Sequence, residues 1–451
     1  MSGGRGDRTR AGSISARWSK HSPSTAPRRT QGSWHVMQTH SAVREFLVPV
    51  GLAALAVVPA LYLRVSGSSV GALGDMALFG MAILASGFLL SWGAEAAEKY
   101  IATSFVLAVV ALITVLPEYA VDFYYAYRAG QDPASGYVAY AAANMTGANR
   151  LLIGLAWPLL VGLHWWRSRQ RGIALQVENS VEIVFLALAS AYAFVIILKD
   201  RIGLFDFVVL GALFFLYLWR TSKTENEEEE EDEEPGPGAV IARFSPGKRW
   251  TVMVLMGVVA AGVILLAAEP FAESLVASGR RLGMDEFLLI QWLAPLASEA
   301  PAVTIAILFV LDGRARAGLT TMISDKINQW TLLVGMLPIA MSIGAGELTS
   351  LPLGARQHEE FFLTAAQSMF ALALLVRMRL SLVGAVALAV LFVGQLMLAF
   401  FYQSNPEREI FVLTAIAWLY LALASMLLAR DAGRVPALLR AAWPARERNH
   451  A

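Results

Sequence analysis

Two stretches decide how this chain reads. They are Thr114-Val115-Leu116-Pro117-Glu118, with Asp122 one turn on, and Pro295-Leu296-Ala297-Ser298-Glu299-Ala300-Pro301. Each sets a carboxylate beside proline inside a long apolar run, and one lies in each half of the chain. An ionisable group at bilayer depth costs roughly 2.5–3.5 kcal/mol on insertion scales, so such groups face a cavity and serve a function. Proline lacks a backbone donor, frees the carbonyl one turn back and loosens the helix, which is how midplane ion sites are built.

Composition sets the frame. The 451 residues are 57% hydrophobic and only 16% charged, with a mean hydropathy of +0.55. A soluble fold cannot bury that much apolar surface, so the chain is a polytopic membrane protein whose surroundings are the lipid bilayer. The net charge of +1 points to no partner class, nucleic acid included. Absence of cysteine excludes disulfides, thiolate metal sites and cysteine nucleophiles. His21, His35, His40, His164, His358 and His450 are scattered without HExxH spacing, which argues against a zinc enzyme, and no cofactor is implied.

Apolar runs of spanning length fall at about 46–64, 72–93, 101–127, 138–163, 178–198 and 203–219, then at about 250–268, 285–311, 317–343, 359–376, 381–401 and 409–429. Between the sets lies an acidic segment, Glu225 to Glu234, followed by Pro235-Gly236-Pro237-Gly238; self-repulsion makes it a solvated spacer. The expected division is a disordered basic tail (1–45), a flanking helix and loop (46–71), a first repeat (72–220), the acidic linker (221–249), a second repeat (250–401), a second flanking helix (402–429) and a basic tail (430–451). No small-residue cleavage site follows the first apolar run, so it reads as a retained helix.

Arginine placement orients the bundle. Arg44, Arg167, Arg169, Arg171, Arg220, Arg314, Arg316, Arg377, Arg379 and Arg430 all fall on one side if twelve helices start from a cytoplasmic N-terminus. This predicts cytoplasmic N- and C-termini in a bacterial plasma membrane; Arg280 and Arg281 break the rule beside Glu269, Glu273, Asp285 and Glu286. Setting the flanking helices aside leaves five helices, a linker and five more. In each half the second helix carries the Pro/Glu motif. The third helices carry Asn144-Met145-Thr146-Gly147-Ala148-Asn149-Arg150 and Ser324-Asp325-Lys326-Ile327-Asn328-Gln329. An odd number of helices per repeat inverts the repeats, with the substrate held between them near the midplane. The expected fold is therefore an all-α polytopic membrane protein, two inverted five-helix repeats plus two flanking helices.

These motifs resemble the sodium/calcium exchanger superfamily of cation/cation antiporters. Its two alpha-repeats usually read G-T-S-x-P-E on one helix and G-S-N-x-x-N or G-S-N-x-x-D on the next. The resemblance covers about residues 72–401. It implies secondary active antiport by alternating access, with Ca2+ moved against Na+ or H+ and inorganic cations as the partners. Thr114, Pro117 and Glu118 match the first motif, and Val115 replaces its Ser. Asn149 matches the closing Asn of the third helix, with Asn144 as the alternative register. In the second repeat Gln329 matches the closing Asn/Asp and Ser298 the motif Thr, while Ala302 stands where the second Glu belongs. Glu299 lies three residues earlier, near the same helix face, and Asp325 replaces a Ser.

The implied ion ligands are Thr114, Glu118, Asn144, Asn149, Ser298, Glu299, Asp325 and Gln329, with Glu118, Glu299 and Asp325 as the charged ligands to metal. Asp122, Arg150 and Lys326 are charge partners, with Asp122–Arg150 and Asp325–Lys326 as candidate pairs; paired so, the Lys326 ammonium would take the place of a sodium ion. A calcium site wants roughly six to eight oxygens and an acidic excess, and four acids against two bases sum to −2, which permits a divalent ion only if the cations point elsewhere. Coupling to protons without sodium is the alternative, since a carboxylate in a low-dielectric cavity is a proton carrier. Two other classes compete: a membrane-embedded enzyme, which leaves the repeat unexplained, and a non-transporting scaffold, which the degenerate second repeat would suit. The tyrosines of the cluster Phe123, Tyr124, Tyr125 and Tyr127 read as an interfacial belt, and Glu178 and Glu182 as helix-dipole partners at an interface.

Overall fold

The computed structural model describes residues 31–98, 115–223 and 236–443. Thr114 with the rest of the start of the 101–127 run, residues 224–235 of the acidic linker and both chain ends lie outside the described residues. The chain divides into two units, Met1–Arg44 and Glu45–Ala451.

Helices account for nearly every described element. Two flank the repeats, α1 (Gln31–Ser66) and α15 (Pro406–Asp431). The first repeat holds α2 (Ala72–Glu98), α3 (Leu116–Gln131), α4 (Tyr137–Leu151) continued by α5 (Trp157–Ser168), α6 (Ser180–Lys199) and α7 (Leu204–Thr221). A short α8 (Pro237–Ala242) leads to the second repeat. That repeat holds α9 (Pro246–Leu282), α10 (Glu286–Leu311), α11 (Ala315–Asn328) continued by α12 (Val334–Ala345), α13 (Ala355–Leu375) and α14 (Leu382–Tyr402). Among the described residues ten helices are long and apolar enough to cross a membrane. The remaining two of the twelve expected are α3, described only from Leu116, and α13, whose Glu359, Glu360 and Gln367 lower its hydropathy but are buried in the bundle.

Two features show the repeats to be inverted copies. Both third helices change pitch within about one turn of the matched residues Asn149 and Gln329, through π turns at Leu152–Ala156 and Gln329–Leu333. The connecting strands pair reciprocally as well. β1 (Gly172–Ala174), before α6, runs antiparallel to β4 (Arg379–Ser381), after α13. β2 (Arg201–Ile202), after α6, runs antiparallel to β3 (Leu351–Pro352), before α13. Antiparallel α6 and α13 are thereby clamped at both ends, and the 20 residues of α6 separate the ladders by about 30 Å.

Three segments differ from the sequence expectation. Helix α1 already begins at Gln31, inside the stretch predicted as a disordered tail. Within the linker, α8 forms because Ala239-Val240-Ile241-Ala242 is apolar and buried. In the basic tail, α16 (Val435–Ala442) forms, and the Ala442 carbonyl accepts a hydrogen bond from Arg220 Nε at 3.0 Å.

The repeats interlock through α3 and α12, whose backbones touch. A Cβ added at Gly130 would stand 2.0 Å from the Met341 carbonyl oxygen, and one at Gly344 would stand 2.0 Å from that of Tyr127. At Gly394, on α14, nothing lies within 4 Å of an added Cβ. Gly344→Val should therefore lower the melting temperature sharply, by overpacking worth about 1–3 kcal/mol or more, while Gly394→Ala leaves it within a degree or two. Equal melting temperatures for the two purified variants would contradict this packing.

Candidate functional site

Helix α3 enters the described region at Leu116, with Pro117 and Glu118 in its first turn. Helix α10 runs unbroken through Pro295 and Pro301. Pro295 lacks the amide that would bond to the Gln291 carbonyl, and α4 presses there: a Cβ on Gly147 would sit 1.9 Å from that oxygen. Between the two motifs lies Gly87 of α2, where an added Cβ would stand 2.7 Å from Pro301 Cγ and 3.6 Å from Pro117 Cγ. The two Pro/Glu segments thus meet within the span of one glycine.

Their carboxylates meet as well. Gln329, the first residue of the second π turn, donates through Nε2 to Glu118 Oε2 at 3.3 Å and to Glu299 Oε1. Glu118 is 5% exposed and Glu299 1%. One amide therefore joins an acid from each repeat, and the pair needs no acid at Ala302. A run of further oxygens surrounds it. Asp122 Oδ1 accepts from Asn144 Nδ2 at 2.8 Å. Asn149 Nδ2 donates to the Met145 carbonyl at 2.8 Å, which turns its Oδ1 toward Lys326 Nζ at 2.6 Å. Buried oxygens of Asp122, Asn144, Glu299, Asp325 and Gln329 have no hydrogen-bond partner among the described residues. Buried polar atoms are nearly always satisfied, so a group of orphaned oxygens is a place for a cation or a proton.

Several expected partners are exchanged for others. Asp325 does not complete a triad with the two glutamates: among the described residues no three Asp, Glu or His side chains cluster tightly enough to hold a metal ion. It lies one turn from Gln329 on α11, about 6 Å of rise, and is only half-buried. From there it acts on Glu118 and Glu299 through its charge. Lys326 does not pair with Asp325, since adjacent helical residues point apart; its ammonium crosses to the other repeat and lies 4.5 Å from the centre of the Trp330 ring. Arg150 bonds to Glu360 rather than Asp122. The Ser298 hydroxyl is engaged by its own helix, 3.3 Å from the carbonyls of Ala294 and Pro295.

The aromatic belt divides. Phe123 and Tyr127 stack with centroids 6.4 Å apart, whereas Tyr125 is buried and Tyr124 donates to Glu273 at 2.6 Å. Glu182, assigned to an interface, is buried. Sequence reasoning missed Glu360, Gln291 and Gln367. The signal is a Glu and two Gln inside apolar runs, with Glu360 at the very start of the run at about 359–376.

An inverted-repeat bundle with paired midplane acids defines a membrane ion transporter. The family model for the sodium/calcium exchanger protein matches residues 72–223 and 252–401, and the chain belongs to that family. It is similar to a crystal structure of the H+/Ca2+ exchanger CAX, at 40% identity over 87% of this chain and 96% of that one, with a TM-score of 0.81. A structure of the Ca2+/H+ antiporter protein YfkE shares the fold, at 14% identity over 76% of this chain and 98% of that one, with a TM-score of 0.52. A comparison with curated proteins found no match.

Gln329 is the donor that holds the two acids together. Gln329→Leu should cost about 1–3 kcal/mol of stability at pH 8, where part of the pair has lost the proton that otherwise accompanies it and depends on the shared amide donor. The deficit should shrink in acid, where a proton between the carboxyl groups replaces the amide. Melting temperatures at pH 5 and pH 8 check this; an equal deficit at both would show that the amide does not bridge charged groups.

Proposed function

We propose that this chain is a secondary active cation antiporter that moves Ca2+ against protons by alternating access, with the exchanging ions held between α3 and α10. The observation that carries the reading is the Glu118–Gln329–Glu299 bridge, one acid from each repeat on a single amide. Two carboxylates that give up two protons gain the charge that one divalent cation neutralises. The cavity then holds the same net charge in both loaded forms, which suits strict exchange. Asn144 and Asp325 supply further oxygens, the Asn149 oxygen being taken by Lys326, and Thr114, outside the described residues, keeps its place in the motif.

Three features favour protons over sodium as the counter-ion. Val115 removes a hydroxyl from the first motif, and the Ser298 hydroxyl is spent on its own helix. Lys326 Nζ occupies the oxygen of Asn149. A bare sodium ion must recover its hydration shell from several oxygens, whereas a proton needs one carboxylate. The similarity to the H+/Ca2+ exchanger CAX points the same way. Exchange against sodium is the second reading, since the matching family is that of the sodium/calcium exchanger protein.

In proteoliposomes, a pH gradient alone should drive Ca2+ uptake, and a sodium gradient alone should drive little. Robust sodium-driven exchange without a pH response would replace the proton reading with the sodium one. No flux under either gradient would favour an enzyme or a scaffold.

Glu118→Gln should abolish this flux while the protein still inserts and melts cooperatively, because the amide keeps the shape and removes the charge that holds the ion. Normal uptake by well-folded Glu118→Gln protein would rule out a direct role.

A further inference from the structure

The most heavily buried charge cluster outside the ion site surrounds Arg150, the residue after Asn149. Its guanidinium bonds to Glu360 on α13, and Gln291 on α10 donates to the same Glu360 oxygen at 2.7 Å. Gln367 donates to the Arg150 carbonyl at 3.3 Å. The guanidinium carbon lies 5.0 Å from the centre of the Trp292 ring. Arg150 is 1% exposed, and Glu360 and Gln291 are fully buried. Arg150 of α4 and Gln291 of α10 bond to Glu360; the other charged groups near it are its neighbour Glu359 and, one turn earlier on α13, Arg356, which bonds to Asp285 and to Glu409 of α15.

This cluster lies within electrostatic reach of the ion site. Lys326 bonds to Asn149, the residue that precedes Arg150 on α4. Along α10, Gln291 stands eight residues from Glu299, about 12 Å by helical rise. Over such a distance in protein an uncompensated unit charge still acts strongly on a divalent ion. The site already carries one cationic side chain in Lys326, and a second would cut the acidic excess of Glu118, Asp122, Glu299 and Asp325 further, from three charges to two.

We infer that Glu360 is a positioning residue for cation binding: it holds and neutralises Arg150, and so keeps a second positive charge from the Glu118–Glu299 site. The inference rests on the ion-exchange reading above and adds a residue that no alpha-repeat motif contains. Gln291 fixes the carboxylate, Trp292 flanks the guanidinium, and Gln367 pins the backbone. Each acts on Arg150 or its partner, and none touches the ion.

The test uses the full purified chain in detergent, with equilibrium 45Ca2+ binding and thermal melting without added cation. Glu360→Gln should weaken Ca2+ binding about tenfold or more. Arg150→Gln with Glu360→Gln, which removes both charges, should return binding to within about threefold of the parent. A merely structural role predicts the opposite, with the double variant no better than the single one. Glu360→Asp should bind like the parent, and it decides the point with the double variant if Glu360→Gln does not fold.

Folded Glu360→Gln protein with parental affinity would overturn the inference, as would a double variant as weak as the single. If the parent binds no Ca2+, the exchange reading fails, and melting alone then decides the Arg150–Glu360 pairing. Glu360→Gln should lower the melting temperature and the double variant should recover most of that loss. A double variant at least as unstable as the single would refute the pairing too.

Discussion

Glu118 and Glu299 come from opposite halves of the chain and share one amide donor out of contact with bulk water. Two acids so placed cannot both stay charged and unaccompanied, because the cost of desolvating a carboxylate exceeds what one neutral donor returns. Something positive must be with them, a proton or a metal ion. The rest of the site follows from that demand. Asp325 adds a nearby charge, Asn149 engages Lys326, and Glu360 engages Arg150. The two buried cations beside the site, Lys326 and Arg150, are held by Asn149 and Glu360, and the orphaned oxygens are left for the ion.

Geometry is imposed by the inverted repeats. Antiparallel α6 and α13 are pinned by strand ladders at both ends, which fixes one repeat against the other at two levels about 30 Å apart. Inside that frame the third helices carry a π turn each. A π turn inserts a residue and turns the following side chains, and such turns recur at functional sites. Gln329 begins one of them, which is how a residue of the second repeat comes to face Glu118 of the first. Pro295 leaves the Gln291 carbonyl without its helix amide where α4 meets it backbone to backbone at Gly147, and Gly87 of α2 lies against the rings of Pro301 and Pro117.

Much of this was legible in the sequence. Hydropathy and arginine placement gave twelve spans in two sets, and the Pro/Glu segments singled out Glu118 and Glu299, since an acid in an apolar run is rare and costly. The partners of the buried cations were not legible. Arg150 lies 28 residues from Asp122 in sequence yet bonds to Glu360 across the repeats, and Lys326 passes its neighbour Asp325 to reach Asn149. Closeness along the chain, on the next helix for Asp122–Arg150 and at the next residue for Asp325–Lys326, suggested both wrong pairs, because helical periodicity fixes a face but not which helix covers it. Nor does a motif count show that Glu299 can meet Glu118 without an acid at Ala302; that depends on the pitch change at Gln329, and local composition does not signal a π turn. The short helix α8 escaped notice because a charge run of ten residues dominates its surroundings.

The central claim is that a divalent cation and protons compete for the same two carboxylates. The most direct measurement is the number of protons released when Ca2+ binds to the purified chain in weakly buffered solution near neutral pH. The account predicts release of about two protons per Ca2+ bound, falling to about one or fewer in Glu118→Gln and in Glu299→Gln. Ca2+ binding with no proton release, and with sodium as the competitor instead, would contradict it.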